Sequence, residues 1–187
     1  MKKLSQAVPF GLAFLLAAGT ASANTGTIQF SGEIKSGTCP IEIIDPVSGG
    51  VGGVVPLGIA VVAKFPTADS EANERGFGMR ISPGAGCTIT AGNAKVNFVS
   101  QSGPAGAGSD LYALHPYSNA ATGVAVVIKD RRDGTIIAHG ADSKEFALET
   151  TKPTVMSFMA AYKSTAPMAN ITPGAADAFV NFVVTLP

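Results

Sequence analysis

Tryptophan is absent, charged residues make up only 14% of the chain, and there are two cysteines and two histidines among 187 residues. Each shortage excludes something. With 13 basic against 13 acidic residues and no basic stripe, nothing marks a nucleic acid or an anionic lipid surface as a partner. No apolar run approaches the ~20 residues a membrane-spanning helix needs, so direct membrane insertion is not expected. The histidines, His115 and His139, precede Pro116 and Gly140 and read as turn residues on the surface. Without a partner cluster they make neither a metal site nor a general base. Gly-x-Ser-x-Gly, His-Glu-x-x-His and the Gly-Lys-Ser/Thr phosphate loop are all missing, which argues against an enzyme and against a cofactor.

The first residues have the plan of an export signal. Lys2 and Lys3 precede an apolar stretch from about Ala7 to Ala18, and Ala21-Ser22-Ala23 supplies a small-residue cleavage site. Taking away the first 23 of 187 residues leaves 164, a length that suits one domain, and 11 of the 13 basic residues. In an exported chain an even pair of cysteines most simply joins, so Cys39 and Cys87 are expected to form a structural disulfide. On the chain-entropy account it stabilises the fold by about 4 kcal/mol. Metal ligation or a reactive thiol fits less well, because neither cysteine has a histidine nearby and Cys-x-x-Cys is absent.

What is plentiful is glycine, 22 residues, with 12 prolines, placed between short apolar runs. That rhythm favours an all-β sandwich. Strands are expected over 27–35, 39–44, 54–63, 77–81, 88–90, 94–99, 112–114, 124–129, 136–138, 144–148, 154–163 and 178–186. Only Ser70–Arg75 has a helical look. Asp130-Arg131-Arg132-Asp133-Gly134 reads as a hairpin whose Asp-Gly supplies positive φ. The run Gly49–Gly53 lacks a lysine and a following helix, and reads as a flexible connection. The acidic pairs Glu71 with Glu74, and Asp130 with Asp133, read as surface.

The two ends carry the sharpest patterns. In the first strand Ile28, Phe30, Gly32 and Ile34 share one face, with Gln29, Ser31 and Glu33 on the other. A glycine inside such a face leaves a hole and costs backbone entropy, unless the strand must enter a groove whose wall comes close there. In the last strand Val180, Phe182, Val184 and Leu186 share a face, and Pro187 closes it without disturbing a ladder. A strand at the chain end frays unless it is paired. On alternation alone, 27–35 is also consistent with the first strand of a complete sandwich.

Several motifs, taken in order, resemble the type 1 fimbrial family, the pilins of the chaperone–usher pathway. Gly26-Thr27-Ile28-Gln29-Phe30-Ser31-Gly32-Glu33-Ile34 matches the family's amino-terminal Gly-Thr-Val-x-Phe-x-Gly-x-Val, followed by Cys39. Ala121-Thr122-Gly123-Val124-Ala125-Val126-Val127-Ile128-Lys129-Asp130 resembles an internal strand of the family. Phe158-Met159-Ala160-Ala161-Tyr162 is similar to its Phe-x-Ala-x-Tyr strand, and Thr172-Pro173-Gly174-Ala175-Ala176-Asp177 precedes the terminal strand. Leu186 stands where many members carry tyrosine, and Pro187 where a polar residue is usual. The resemblance implies an incomplete immunoglobulin-like sandwich over 37–187, preceded by a signal peptide at 1–23 and a donor-strand extension at 24–36. It implies a structural fimbrial subunit that polymerises head to tail by donor-strand exchange and supports cell adhesion. Ile28, Phe30 and Ile34 would fill pockets of the neighbour and Gly32 would pass a constriction. Val180, Phe182, Val184 and Leu186 would line the groove edge and meet a chaperone. The implied partners are neighbouring pilin subunits, a periplasmic chaperone and an outer-membrane usher, on a route through the periplasm to a surface fimbrium. The competing reading is a self-complete secreted β-sandwich that binds a ligand, with its first strand held in cis.

Overall fold

A computed structural model describes residues 27–32, 39–84 and 86–187, the first stretch as backbone only. The expected signal peptide at 1–23, residues 24–26, residues 33–38 with Glu33 and Ile34, and Ala85 lie outside the described residues. The described chain is all β apart from two short 3-10 turns at Val62–Lys64 and Met168–Asn170. Its strands are β1 Thr27–Gly32, β2 Ile41–Ile44, β3 Val54–Pro56, β4 Glu71–Ile81, β5 Asn93–Ser100 and β6 Pro104–Ala105. Then follow β7 Leu111–Tyr112, β8 Val124–Asp130, β9 Phe146–Ala147, β10 Thr154–Ser164 and β11 Ala178–Thr185. One sheet has the order β3-β1-β11-β5-β9 and the other β2-β4-β10-β8-β7-β6.

Alternation decides which residues fill the space between the sheets. Ala94, Val96 and Phe98 of β5 and Ala178, Val180 and Phe182 of β11 are buried against Phe77, Met79, Met156 and Phe158 of the other sheet. Phe98 meets Phe158 edge-on with ring centroids 5.2 Å apart. Tyr112 donates its hydroxyl hydrogen to the Ile137 carbonyl at 2.9 Å, and burial raises its pKa. Cys39 and Cys87 are bonded, which joins the approach to β2 to the segment before β5.

Ser70–Arg75 is not helix: Glu71–Arg75 open β4, with Ser70 just before it. Asn73 takes a positive φ of 58°, and the β4–β10 register slips between Ala160 and Tyr162. This bulge breaks the period of two and so removes the alternation that would have revealed a strand. The slip also turns Glu71 and Glu74 to the same side, where both bind Lys129 Nζ, at 2.7 and 2.6 Å. Burial alone would lower the Lys129 pKa; the two glutamates outweigh it and raise the value. The run 54–63 forms only three residues of strand before a 3-10 turn, and 88–90 and 136–138 stay outside the named strands, with Ile136 bridging Lys129 alone. The hairpin after β8 forms as expected, with Gly134 at φ 72° and its N–H bonded to the Asp130 carbonyl.

Two surface assignments need correction. Asp130 is buried, its carboxylate gripped by Arg132 Nε and Nη2 and by the Arg132 N–H. His139 is half-buried, its ring packed on Tyr112 at 5.6 Å, and its Nε2 is buried without a hydrogen-bond partner.

Candidate functional site

The site is the seam in the first sheet. β3 and β11 do not pair with each other; β1 lies between them. It runs antiparallel to β3, with Thr27 level with Pro56 and Gln29 with Val54. Against β11 it runs parallel, with Ile28 level with Ala178, Phe30 with Val180 and Gly32 with Phe182. In the lone chain, therefore, the amino-terminal strand sits in its own sandwich. Without it, β3 loses its one strand partner among the described residues, and one edge of β11 is left open over the core.

The walls of this seam are apolar because β3 and β11 alternate in phase. Val55 is buried between exposed Val54 and Pro56. On β11, Val180 and Phe182 are buried, Val184 is half-buried, and Leu186, just beyond the strand, packs on the core from the same side. The four carboxyl-terminal residues singled out from the sequence thus share one row along the seam. Of the amino-terminal four, Ile28, Phe30 and Gly32 lie on the paired backbone, and Ile34 is outside the described residues.

Sequence reasoning missed a feature at the other end of the seam. Where β1 begins, a cavity of about 450 Å³ opens between the segment after β3 and the segment before β11. Ile59, Val61, Val62, Phe65, Tyr162 and Ile171 line it, and among the described residues no charged side chain does. Its far wall is rigid. Thr122 and Thr172 join hydroxyls at 2.7 Å, Ala121 N–H bonds the Ala175 carbonyl, and a Cβ on Gly174 would stand 2.3 Å from the Asn119 oxygen. Tyr162 donates to the Ala176 carbonyl at 3.1 Å, and burial raises its pKa to about 12. The signal was present as the apolar run Leu57–Ala63, which reads as strand until the structure bends it into a 3-10 turn around the cavity. Among the described residues no group of three His, Cys, Asp or Glu is placed to hold a metal.

The family model for fimbrial proteins matches residues 28–186, which takes in nearly all of this sandwich. The chain belongs to the fimbrial protein family. It is 31% identical over 171 residues to the type-1 fimbrial protein A chain of Escherichia coli, covering 90% of this chain and 87% of that one. Solved structures share the fold. The P pilus rod subunit PapA superposes with a TM-score of 0.55 at 21% identity, over 80% of this chain and 99% of the other. A subunit from a chaperone–usher pilus studied for rod uncoiling gives 0.56 at 18% identity, over 98% and 100%. An antigen and type I fimbria protein of Burkholderia pseudomallei gives 0.53 at 24% identity, over 86% and 97%. As a fimbrial protein the chain is a structural subunit of a surface pilus.

Proposed function

We propose that this fimbrial subunit polymerises by giving its amino-terminal strand to the next copy, and that the seam between β3 and β11 receives the strand of the copy before. The observation that carries this is the sheet order β3-β1-β11, in which one terminal strand alone holds two others together. Ile28, Phe30 and Ile34 seat in the acceptor's apolar row beside Val180, Phe182, Val184 and Leu186, and Gly32 passes where the wall is close. Fully burying three such side chains is worth roughly 5–9 kcal/mol before ordering costs. Strand addition of this kind is a general recognition mode, of which the handing of a strand from chaperone to pilin is a known instance. A head-to-tail contact that does not close produces an open filament. Before assembly, a periplasmic chaperone's strand holds the seam and an outer-membrane usher exchanges it. The chain is exported through the periplasm, works at the cell surface in adhesion, and performs no catalysis and uses no cofactor.

One observation favours the competing reading of a self-complete sandwich, namely that β1 pairs within its own chain. The pairing with β11 is parallel, the slightly weaker ladder. The two readings part in one experiment. A protein starting at Gly37, with its disulfide intact, is mixed with a synthetic peptide of residues 24–36. A one-to-one complex with a large rise in Tm is expected; a domain of unchanged stability that ignores the peptide overturns strand donation.

A further inference from the structure

The register of β1 leads into the cavity. Thr27 is level with Pro56 on antiparallel β3, and Ile28 with Ala178 on parallel β11. Carried outward in the same register, positions 26, 25 and 24 fall level with Leu57, Gly58 and Ile59 on one side. On the other side they fall level with Ala176, Ala175 and Gly174. The segments Gly58 to Val62 and Thr172 to Ala176 are the two walls of the cavity. They part because both turn. Gly58 takes a φ of 69°, and the other wall bends at Gly174, which is packed against the main chain of 119–121. The space between them, about 450 Å³, far exceeds the ~15 Å³ that admits one water. Ile59 and Val61 stand on its wall 60% and 56% exposed. Large apolar side chains left open along one wall mark a surface that something covers.

We infer that this cavity is the seat of the mature amino terminus, and that Asn24, Thr25 and Gly26 fill it while β1 lies in its own sandwich. Length argues for that occupant. On the expected cleavage after Ala23, three residues precede Thr27, one for each of Leu57, Gly58 and Ile59, and they span about 10 Å of extended chain. Chemistry agrees. The segment has no charged side chain, and among the described residues the lining has none either. Its one charge, the new α-ammonium, sits at the very end and keeps its water at the cavity mouth, which avoids the cost of burying it. By alternation Gly26 and Asn24 share the inward face of Ile28 and Phe30. Gly26 brings no side chain where the walls are still close, and Asn24 arrives where they have parted. An uncleaved chain carries residues 1–23 past the same point, the apolar stretch from Ala7 included, and has no end to place there. The seat therefore belongs to the processed chain. Filling it adds contacts to the strand that joins β3 to β11, so the amino terminus latches the cis form. The seat rests on register and cavity; only the latch's effect on giving the strand away rests on the strand-donation reading above.

The test compares three proteins with the Cys39–Cys87 bond intact: the mature chain starting at Asn24, a form starting at Thr27, and mature Val61→Trp, whose ring fills the cavity from its exposed wall. In the mature chain NMR is expected to show cross-peaks from the Thr25 methyl to the methyls of Ile59 and Val61, at any protein concentration. Val61→Trp is expected to lose the cross-peak to Ile59. The apolar dye anilinonaphthalene sulfonate should bind the form starting at Thr27 and not the mature chain. A fluorescent peptide of residues 24–36 should displace β1 roughly tenfold faster from the shortened form and from Val61→Trp than from the mature chain. Equal dye binding by the mature and shortened forms, or a mature chain without the Thr25 cross-peaks, means an empty cavity and overturns the inference. Cross-peaks that grow in only as concentration rises assign the cavity to a second copy and overturn it too. Equal rates of peptide uptake with the cross-peaks present overturn the latch. Peptide taken up by none of the three counts against strand donation alone, because the cross-peaks read the seat without it. Should Val61→Trp fail to fold, the form starting at Thr27 carries the comparison.

Discussion

Asp130 shows how one side chain organises a corner of the molecule. Its carboxylate is wholly buried, and it accepts bonds from Arg132 Nη2 at 2.6 Å, Nε at 3.0 Å and the Arg132 backbone at 2.9 Å. Arg132 in turn lies 3.9 Å over the Phe146 ring and donates to the Glu145 carbonyl, so the hairpin is pinned to the edge strand β9. The Arg132 side-chain bonds, with its backbone N–H and charge, hold the Asp130 pKa below the ordinary value despite burial. A carboxylate depressed in the folded state lends stability that is complete above its unfolded pKa, near 4, and is lost as pH falls through the folded value. Asp130→Asn is expected to cost about 1.5–3 kcal/mol at pH 7, the worth of charged hydrogen bonds. The loss should shrink toward pH 2, and urea denaturation at the two pH values checks both. Gly174 makes the same point through shape. Alanine there meets the Asn119 oxygen, and the expected loss of about 1–3 kcal/mol should come with weaker amide protection at Thr122 and Ala175, read by hydrogen exchange.

At the scale of the element, legibility follows the period. β5, β8, β10 and β11 were readable because a run of seven or more residues keeps its alternation or its continuous burial. β6 was not foreseen, while the expected runs 112–114 and 144–148 met β7 and β9, each only two residues long because pairing made by neighbours sets their bounds. The amino-terminal half of β4 was misread for a physical reason: the bulge at Asn73 inserts a phase shift that a helix-like spacing of Glu71, Glu74 and Arg75 imitates. Asp130 was misread because burial of a charge depends on a partner two residues away whose direction no pattern discloses. The seam was legible at both ends as alternating rows, while its cavity was hidden in a bend. The bulge makes its own prediction. Asn tolerates the left-handed conformation at 58° and glycine tolerates it better, so Asn73→Gly should change stability by no more than a few tenths of a kcal/mol. Asn73→Val should cost about 1–3 kcal/mol. It should also part Glu74 from Lys129, measurable as a fall in the Lys129 Nζ pKa by NMR.

For the whole molecule the governing fact is that the first sheet is closed by β1, a strand from the amino-terminal part of the chain. The sheet opposite is continuous, with β4 and β10 paired along nine positions, so the body has a frame that does not depend on β1. The first sheet is less independent: β11 and β5 pair along six positions without β1, but among the described strands β3 pairs with β1 alone. Loss of β1 should therefore leave a folded frame with an exposed apolar seam, a state that binds strands, with the Cys39–Cys87 bond still in place. Gly32 distinguishes giving from folding, because it is level with Phe182, a buried residue of the wall. Gly32→Ile should block fibre growth by its donor end and leave the same copy able to accept a wild-type strand. Mixed with wild-type subunits, it should cap fibres and shorten them in proportion to its share, an outcome that length distributions read directly. Normal fibres built from Gly32→Ile alone would mean that the strand leaves its own sandwich for no neighbour, and that the parallel pairing in cis is the finished fold.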